Sequence, residues 1–177
     1  MNWYKNILTS DYKNDNIPSM TKELIIFRGI PSSGKSYLAK QLAGESNVFS
    51  ADDYHLDPET GQYNWKPENV KKAHQWNHQR VSDAIDQGVS PIAIDNTHIK
   101  KWELKALKPL VQKAQQKGYN VRIEEPNPKW YHWDTAFDAN ALFERNKETH
   151  NVPLESIKKM IENYEPNVTI EDILQED

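Results

Sequence analysis

The stretch that decides the fold is LIIFRGIPSSGKSYLAKQLAG, residues 24–44. It begins with the apolar run LIIF (24–27), which is typical of a strand buried on both faces of a parallel sheet. The helical pattern YLAKQLA (37–43) then ends at Gly44. Between them, GIPSSGKS (29–36) fits the Walker A pattern G-x-x-x-x-G-K-[ST], which is meaningful only between a strand and a helix. The sequence therefore predicts a loop that holds phosphate with its backbone N–H groups at the start of a helix.

The residue types in this loop predict binding of ATP with Mg²⁺. The ammonium of Lys35 would reach the β and γ oxygens of a polyphosphate, and the hydroxyl of Ser36 would bind Mg²⁺. A chance glycine turn is the alternative, and the flanking strand and helix argue against it. The residues expected to contact the nucleotide are Gly29, Ile30, Pro31, Ser32, Ser33, Gly34, Lys35, Ser36 and Tyr37.

Composition excludes several other classes of protein. A hydrophobic content of 37% and a charged content of 27% are globular values, and the longest apolar runs are too short to cross a bilayer. No cysteine is present among the 177 residues, which excludes disulfides and thiolate metal sites. The first 20 residues lack the apolar core of a secretion signal, so a cytoplasmic protein is expected. Because the formal net charge is −4, a nucleic-acid partner would need a local basic cleft.

Strand-like and helix-like segments alternate along the chain, which predicts an α/β fold. We expect a three-layer α/β/α arrangement with a mainly parallel sheet, of the P-loop NTPase type, and a helical lid around 137–165. Residues 1–20 read as an N-terminal extension and residues 21–177 as one domain. The expected strands are 24–27, 48–50, 91–94 and 121–124, and the expected helices are 37–43, 67–88, 100–117, 137–147 and 154–164.

Polar clusters follow two further strands, and functional residues of such folds collect at strand carboxyl ends. Asp52 and Asp53 follow the second strand, where a carboxylate would orient an acceptor hydroxyl and take its proton; capping a helix or turn is the alternative. Asp95 ends the third strand and would hold Mg²⁺ directly or through water, unless it only caps the next helix. Thr97 would donate a hydrogen bond to an acceptor or phosphate.

Arginine is scarce, with only four in the chain, so forked clamping of an already phosphorylated acceptor is not expected. Arg145 is the candidate lid residue over the transferring phosphate, against a surface or capping role. His74 and His78 have metal-ligand spacing, although a packing or solvated role fits them better. Trp65, Trp76, Trp102, Trp130 and Trp133 are either base-stacking platforms or core and rim anchors.

The order GIPSSGKS, VFSADDYH, AHQWNHQR, IAIDNTH, FERN and HNVP resembles the P-loop kinase domain of the Nedd-four-binding protein two-like group. That group is similar to the phage polynucleotide 5′-hydroxyl kinase and to the N-terminal domain of cyclic-nucleotide phosphodiesterase. The resemblance covers about residues 24–165. It implies that Lys35 and Ser36 bind ATP and Mg²⁺, that Asp52 is the general base and that Arg145 lies over the phosphates. It places Asp95 and Thr97 in the acceptor site, with Asp53 and His55 beside them.

Three positions depart from the family pattern. Ser32 stands where the family usually has glycine, and a positive φ there would cost roughly 1 kcal/mol. His55 stands where the phage kinase has an arginine that grips the acceptor phosphate, and Thr149 falls near a second lid arginine of that enzyme.

The sequence thus predicts an ATP- and Mg²⁺-dependent kinase that transfers the γ-phosphoryl group to a hydroxyl, with the 5′-hydroxyl of an RNA or DNA end as the first acceptor. The alternatives are a small-molecule kinase of nucleotide-sugar or antibiotic type, and a nucleotide-binding switch without catalysis. Asp52 argues against the switch, which has no need of a base beside the γ-phosphate.

Overall fold

The structure is a computed structural model that describes residues 21–128, 130, 132–147 and 149–176. The predicted N-terminal extension, residues 1–20, lies outside this part of the chain. Within the described residues the sheet has four strands in the order β2-β3-β1-β4, and every pair is parallel. The strands are β1 Lys22–Phe27, β2 Val48–Phe49, β3 Ile92–Asp95 and β4 Tyr119–Glu124. The predicted parallel α/β fold is confirmed.

Helices cover both faces of this sheet. They are α1 Lys35–Ala43, α2 Val70–Asp86, α3 Lys101–Lys105, α4 Lys108–Gln116, α5 Ala139–Asn146, α6 Leu154–Glu162 and α7 Ile170–Leu174. The central strand β1 is buried on both sides, because Leu24 and Ile26 pack toward α2 and α4 while Ile25 and Phe27 pack toward α1. Trp130 is buried with this second group, its ring centroid 6.2 Å from that of Phe27. The apolar run LIIF is therefore the middle layer of three.

The single helix predicted over 100–117 is wrong, because the segment forms α3 and α4 instead. Pro109 lies in the first turn of α4. Proline has no N–H to donate to the carbonyl four residues earlier, and its ring clashes with that carbonyl, so the helix cannot continue through it. Helix α7 was not predicted, although Thr169 and Asp172 form a capping box at its start, a pattern that is readable in sequence.

Arg28, which directly follows β1, joins the sheet to the chain that follows α6. Its side chain is fully buried and forms an ion pair with Glu125, with 2.6 Å between Nη1 and Oε1. The guanidinium also donates hydrogen bonds to the backbone carbonyls of His98, Ile99 and Glu165. Every one of these partners is distant in sequence, so Arg28 ties together segments that the sheet alone does not connect.

The predicted lid packs on the loop that follows β1. Ile30 of that loop is buried in a small cluster with Leu142 of α5 and Ile157 of α6, to which Ile99 also contributes. None of the helices in the described part of the chain is long and apolar enough to cross a membrane.

Candidate active site at the carboxyl ends of the strands

The polar segments that follow β1, β2 and β3 meet at one edge of the sheet, as expected. The backbone N–H of Gly29 donates to the carbonyl of Thr97 at 2.9 Å, which joins the loops after β1 and β3. The backbone N–H of Ala51 donates to the side-chain oxygen of Asn96 at 3.0 Å, which joins the loops after β2 and β3. Three clusters far apart in sequence thus form one candidate site.

The glycines of the phosphate-binding loop are required by its backbone. Gly34 is the N-cap of α1 with a φ of 102°, and Gly29 has a φ of 148°. A Cβ at Gly29 would also lie 3.0 Å from Ser33 Oγ and 3.2 Å from Pro126 Cγ, whereas at Gly34 the nearest atom would be 3.9 Å away. The space beside Gly34 at the start of α1 is therefore open, as binding of a phosphate there requires.

Ser32, which stands where the family usually has glycine, has a positive φ of 62°. Two contacts from α5 hold it in that conformation. Its Oγ accepts a hydrogen bond from Asn146 Nδ2 at 3.1 Å, and its carbonyl accepts one from Arg145 Nε at 3.1 Å. The strained residue is therefore fixed by the predicted lid.

Lys35 and Asp95 face each other in the interior of the site. Both side chains are buried, and Lys35 Nζ donates to the carbonyl of Ile30 at 2.9 Å. Burial lowers the pKa of Lys35 and raises the pKa of Asp95, and in each case the opposite charge of the partner acts against burial. Ser36 donates a side-chain hydrogen bond to Asp95.

The Ser36 hydroxyl and the Asp95 carboxylate fit a magnesium ion. The described residues contain no group of three or more His, Asp or Glu side chains placed to hold a metal. Mg²⁺ is usually held by one or two protein oxygens together with water and substrate phosphate, so this pair suffices. The site suits a metal that arrives with a polyphosphate.

Asp52 lies in the short 3₁₀ helix Ala51–His55, which Ser50 caps. Its side chain is exposed, and its Oδ1 accepts a hydrogen bond from the hydroxyl of Tyr63 at 3.3 Å. Burial and the nearby Asp52 charge raise the pKa of Tyr63, so the phenol stays protonated as the donor. Asp52 also interacts electrostatically with Lys35 and Asp95, which places it beside the phosphate loop.

The adjacent carboxylates of Asp52 and Asp53 have different partners, and both residues lie in the 3₁₀ helix that follows β2. Asp53 turns toward α2 and forms an ion pair with Arg80 at 2.9 Å. The guanidinium of Arg80 lies over the ring of Trp76, 4.2 Å from its centroid. The role of Asp53 in acceptor binding stays a prediction.

His55 is buried against the aromatic rings of Tyr54 and Tyr63, with centroid distances of 5.7 and 5.9 Å. His55 thus packs against Tyr63, the residue that hydrogen-bonds to Asp52. Its contact with an acceptor phosphate stays a prediction. On its far side the Tyr63 ring meets His150 of the predicted lid at 5.3 Å, so Tyr63 bridges Asp52 and the lid.

Arg145 lies over the phosphate-binding loop. In addition to its bond with Ser32, its Nη1 donates to Thr135 Oγ1 at 3.1 Å. With Lys35, Ser36 and Thr149 it lines a cavity of about 260 Å³, which Tyr37, His132 and His150 also border. Thr149 therefore lies in the region expected from the family pattern.

A second cavity, of about 790 Å³, is lined by a different set of residues. Its walls come from residues 67–78, which follow β2, and 97–106, which follow β3. Thr97 lines it, and His74 in its wall interacts electrostatically with Asp52. The larger cavity is thus bordered by the chain that follows β2 and β3, and the smaller one by the loop that follows β1 and by the predicted lid.

Sequence reasoning missed two residues of this site. Asn146 could have been predicted from the sequence, because it belongs to the FERN segment and directly follows Arg145. Tyr63 lies in a polar loop without periodicity, and its contact with Asp52 arises only because Leu56 and Tyr63 pair as an antiparallel bridge that folds the loop back. No pattern in the sequence indicates that pairing.

One family of known proteins matches most of the described domain. The family model AAA_33, described as an AAA domain, matches residues 24–167. The chain belongs to this family. The resemblance to the Nedd-four-binding protein two-like group is also confirmed, because this AAA domain is 36% identical over 150 residues to human NEDD4-binding protein 2. The match covers 83% of the chain but spans only 8% of that relative's length.

A gluconokinase from Sinorhizobium meliloti 1021 is a more distant structural neighbour of this AAA domain. The two share 16% sequence identity with a TM-score of 0.45, over 82% of this chain and 76% of that one. The family match and the loop GIPSSGKS between β1 and α1 make this AAA domain a P-loop domain, a fold that implies nucleotide binding.

Proposed function

We propose that this domain transfers the γ-phosphoryl group of ATP to a hydroxyl group, and that the acceptor is the 5′-hydroxyl of an RNA or DNA end. The observation that carries the proposal is the position of Asp52. Its carboxylate interacts electrostatically with Lys35, which lines the 260 Å³ cavity of the phosphate-binding loop, and with His74, which lines the 790 Å³ cavity. A base within electrostatic reach of both cavities would serve a donor pocket and an acceptor pocket, which a nucleotide switch does not need.

The donor side is built for ATP. Backbone N–H groups at the start of α1 would cradle the phosphates, and Lys35 and Arg145 would neutralise charge on the γ-phosphoryl group during transfer. Ser36 and Asp95 would hold Mg²⁺, which would neutralise negative charge on the polyphosphate. In the described structure Lys35 bonds to the carbonyl of Ile30, so it exchanges that partner for a phosphate oxygen.

The acceptor side supplies the base and the hydroxyl. Asp52 accepts the proton of the acceptor hydroxyl while the oxygen of that hydroxyl forms a bond to the γ-phosphorus. At the same time the bond between the γ-phosphorus and the β–γ bridging oxygen breaks. ADP leaves with the electron pair of the broken bond. Tyr63 holds the carboxylate of Asp52 in place by donating to Oδ1. Because the sequence resembles a group that is similar to the phage polynucleotide 5′-hydroxyl kinase, a polynucleotide end is the first acceptor to test.

The test is transfer of labelled γ-phosphate to a panel of acceptors: 5′-hydroxyl oligonucleotides, nucleosides, sugars and aminoglycosides. We expect the oligonucleotides to be labelled by the wild-type protein. A small-molecule kinase would label another member of the panel, and a switch would label none. Lys35→Ala should weaken ATP binding and abolish transfer while the fold remains intact.

Asp52→Asn should retain ATP affinity and lose about 10²–10⁴-fold in the single-turnover transfer rate, because the amide cannot take a proton. Asp53→Asn is the matched control, since it changes the neighbouring carboxylate and keeps a hydrogen-bond acceptor for Arg80. Equal transfer rates for Asp52→Asn and wild type would remove the base from the reaction.

A further inference from the structure

The walls of the larger cavity are unlike those of a phosphate site. They consist mainly of apolar and ring-bearing side chains from α2, the segment before it and α3. Among the described residues that line the cavity no arginine occurs, and the charged side chains are Lys71 and Glu103, which are opposite in sign. Phosphate recognition favours forked guanidinium groups, so the cavity is not built for a phosphorylated moiety.

One wall of the cavity is the indole of Trp102 in α3. Trp102 is 67% exposed, which is a large fraction for a tryptophan. By contrast, Trp130 is almost fully buried, as expected for a tryptophan that stabilises the core. An exposed indole on the wall of a cavity offers a flat face for an aromatic ligand.

The opposite wall carries His74 and His78, one turn apart on α2 with their ring centroids 6.3 Å apart. Burial lowers the pKa of both imidazoles, so they are neutral at pH 7. A neutral imidazole donates one hydrogen bond and accepts another, which matches the edge of a nucleobase and does not attract a phosphate.

We infer that this cavity binds the terminal nucleobase of the acceptor, stacked on Trp102 and facing the imidazoles of His74 and His78. The inference rests on the proposed function and deepens it, because it names a nucleoside end as the acceptor class. His74 lines the cavity and interacts electrostatically with Asp52, so a base held there would leave its 5′-hydroxyl near the carboxylate. A sugar would require many more polar partners than these walls offer.

The experiment compares two 5′-hydroxyl oligonucleotides that are identical except that one has an abasic residue at its 5′ end. Equilibrium binding of both is measured together with KM and kcat for transfer, in wild type, Trp102→Ala and Trp102→Phe. Trp133→Ala is the control, because Trp133 is 50% exposed and does not line this cavity.

In wild type the abasic oligonucleotide should bind roughly 10- to 100-fold more weakly than its normal partner, the range of one lost base stack. Trp102→Ala should weaken the normal oligonucleotide by a similar factor and leave the abasic one unchanged, with ATP affinity unaltered. Trp102→Phe keeps a stacking ring and should recover most of the loss. Trp133→Ala should change neither.

Two results would overturn the inference. Equal binding of the two oligonucleotides by wild type would show that the terminal base is not held, and an equal loss for both in Trp102→Ala would assign the indole to another part of the ligand or to the fold. Discrimination in binding without any transfer would contradict the proposed function and leave the base site standing. Failure of both oligonucleotides to bind would contradict both.

Discussion

At the scale of single residues, Ser32 is the position where the phosphate-binding loop carries strain. Its φ of 62° costs a non-glycine residue about 1–2 kcal/mol, and its Oγ bond with Asn146 offsets about 0.5–1.5 kcal/mol of that. Ser32→Ala keeps the strain and loses the bond, so we expect its free energy of unfolding to fall by about 1 kcal/mol. Ser32→Gly loses the bond but relieves the strain, and should remain close to wild type in urea unfolding.

The comparison of these two variants isolates the backbone from the side chain. Ser32→Ala should be the less stable of the pair by roughly 1 kcal/mol. If alanine and glycine give the same unfolding free energy, the positive φ at this position is not retained in solution.

Tyr63 is the second residue whose role depends on a single atom. Tyr63→Phe removes the hydroxyl that donates to Asp52 and keeps the ring against His55 and His150. The freed carboxylate samples more rotamers, so we expect the single-turnover transfer rate to fall several-fold, up to about tenfold, while ATP affinity is unchanged. Tyr54→Phe, in the same aromatic cluster, is the control and should retain the wild-type rate. A normal rate for Tyr63→Phe would show that Asp52 is positioned by other contacts.

At the scale of elements, the capping of α5 controls how Arg145 and Asn146 are presented. Asp138 caps this helix by accepting hydrogen bonds from the backbone N–H groups of Asn140 and Ala141, both at 3.0 Å. Asp138→Ala should lower the free energy of unfolding by about 1 kcal/mol, and Asp138→Asn, an equally good cap, should restore it. Thermal or urea unfolding of the two variants measures the difference. A loss shared equally by both would point to the charge of Asp138 and not to its cap.

The elements also show how far sequence alone reaches. The run LIIF, the loop GIPSSGKS and the strand-end carboxylates were predictable, because burial of a central strand and a phosphate cradle each leave a local signature. The break at Pro109 was readable, but the apolar period on either side of it favoured one helix. The turn of Asp52 and Asp53 was not predictable as a 3₁₀ helix, since Ser50 and the packing of α2 select it over an extended strand. The contact between Tyr63 and Asp52 forms only when the loop between them folds back, so no local sequence pattern predicts it.

At the scale of the whole molecule, His98 links stability to pH. Burial lowers its pKa to about 3, and Arg28, His74 and His78 nearby also disfavour its charged form, whereas a hydrogen bond with the carbonyl of Phe27 opposes them. Below its ordinary pKa of 6.5 the unfolded chain binds a proton at His98 that the folded chain does not. The free energy of unfolding should therefore fall as pH decreases from about 6.5, by at most about 1.4 kcal/mol per pH unit from this group.

His98→Asn tests this link, because asparagine tolerates the φ of 42° found there and does not titrate. Urea unfolding between pH 5 and pH 8 should give a shallower pH dependence for His98→Asn than for wild type. Parallel slopes for His98→Asn and wild type would mean that His98 is protonated equally in the folded and unfolded chains.

The contacts of Arg28 have a consequence for how the site opens to a nucleotide. They hold the chain beyond α6 at Glu165, whose own N–H donates to the carbonyl of Ile99. Helices α5 and α6 lead to this point, and at Arg145 and Asn146 of α5 they are attached to the phosphate-binding loop through Ser32. A rotation of α5 and α6 as one body about Glu165 would therefore break the hydrogen bonds to Ser32 and shift Leu142 and Ile157 against Ile30. The buried guanidinium of Arg28 would keep its partners, so the cost of opening falls on the end of the lid that lies over the phosphate-binding loop.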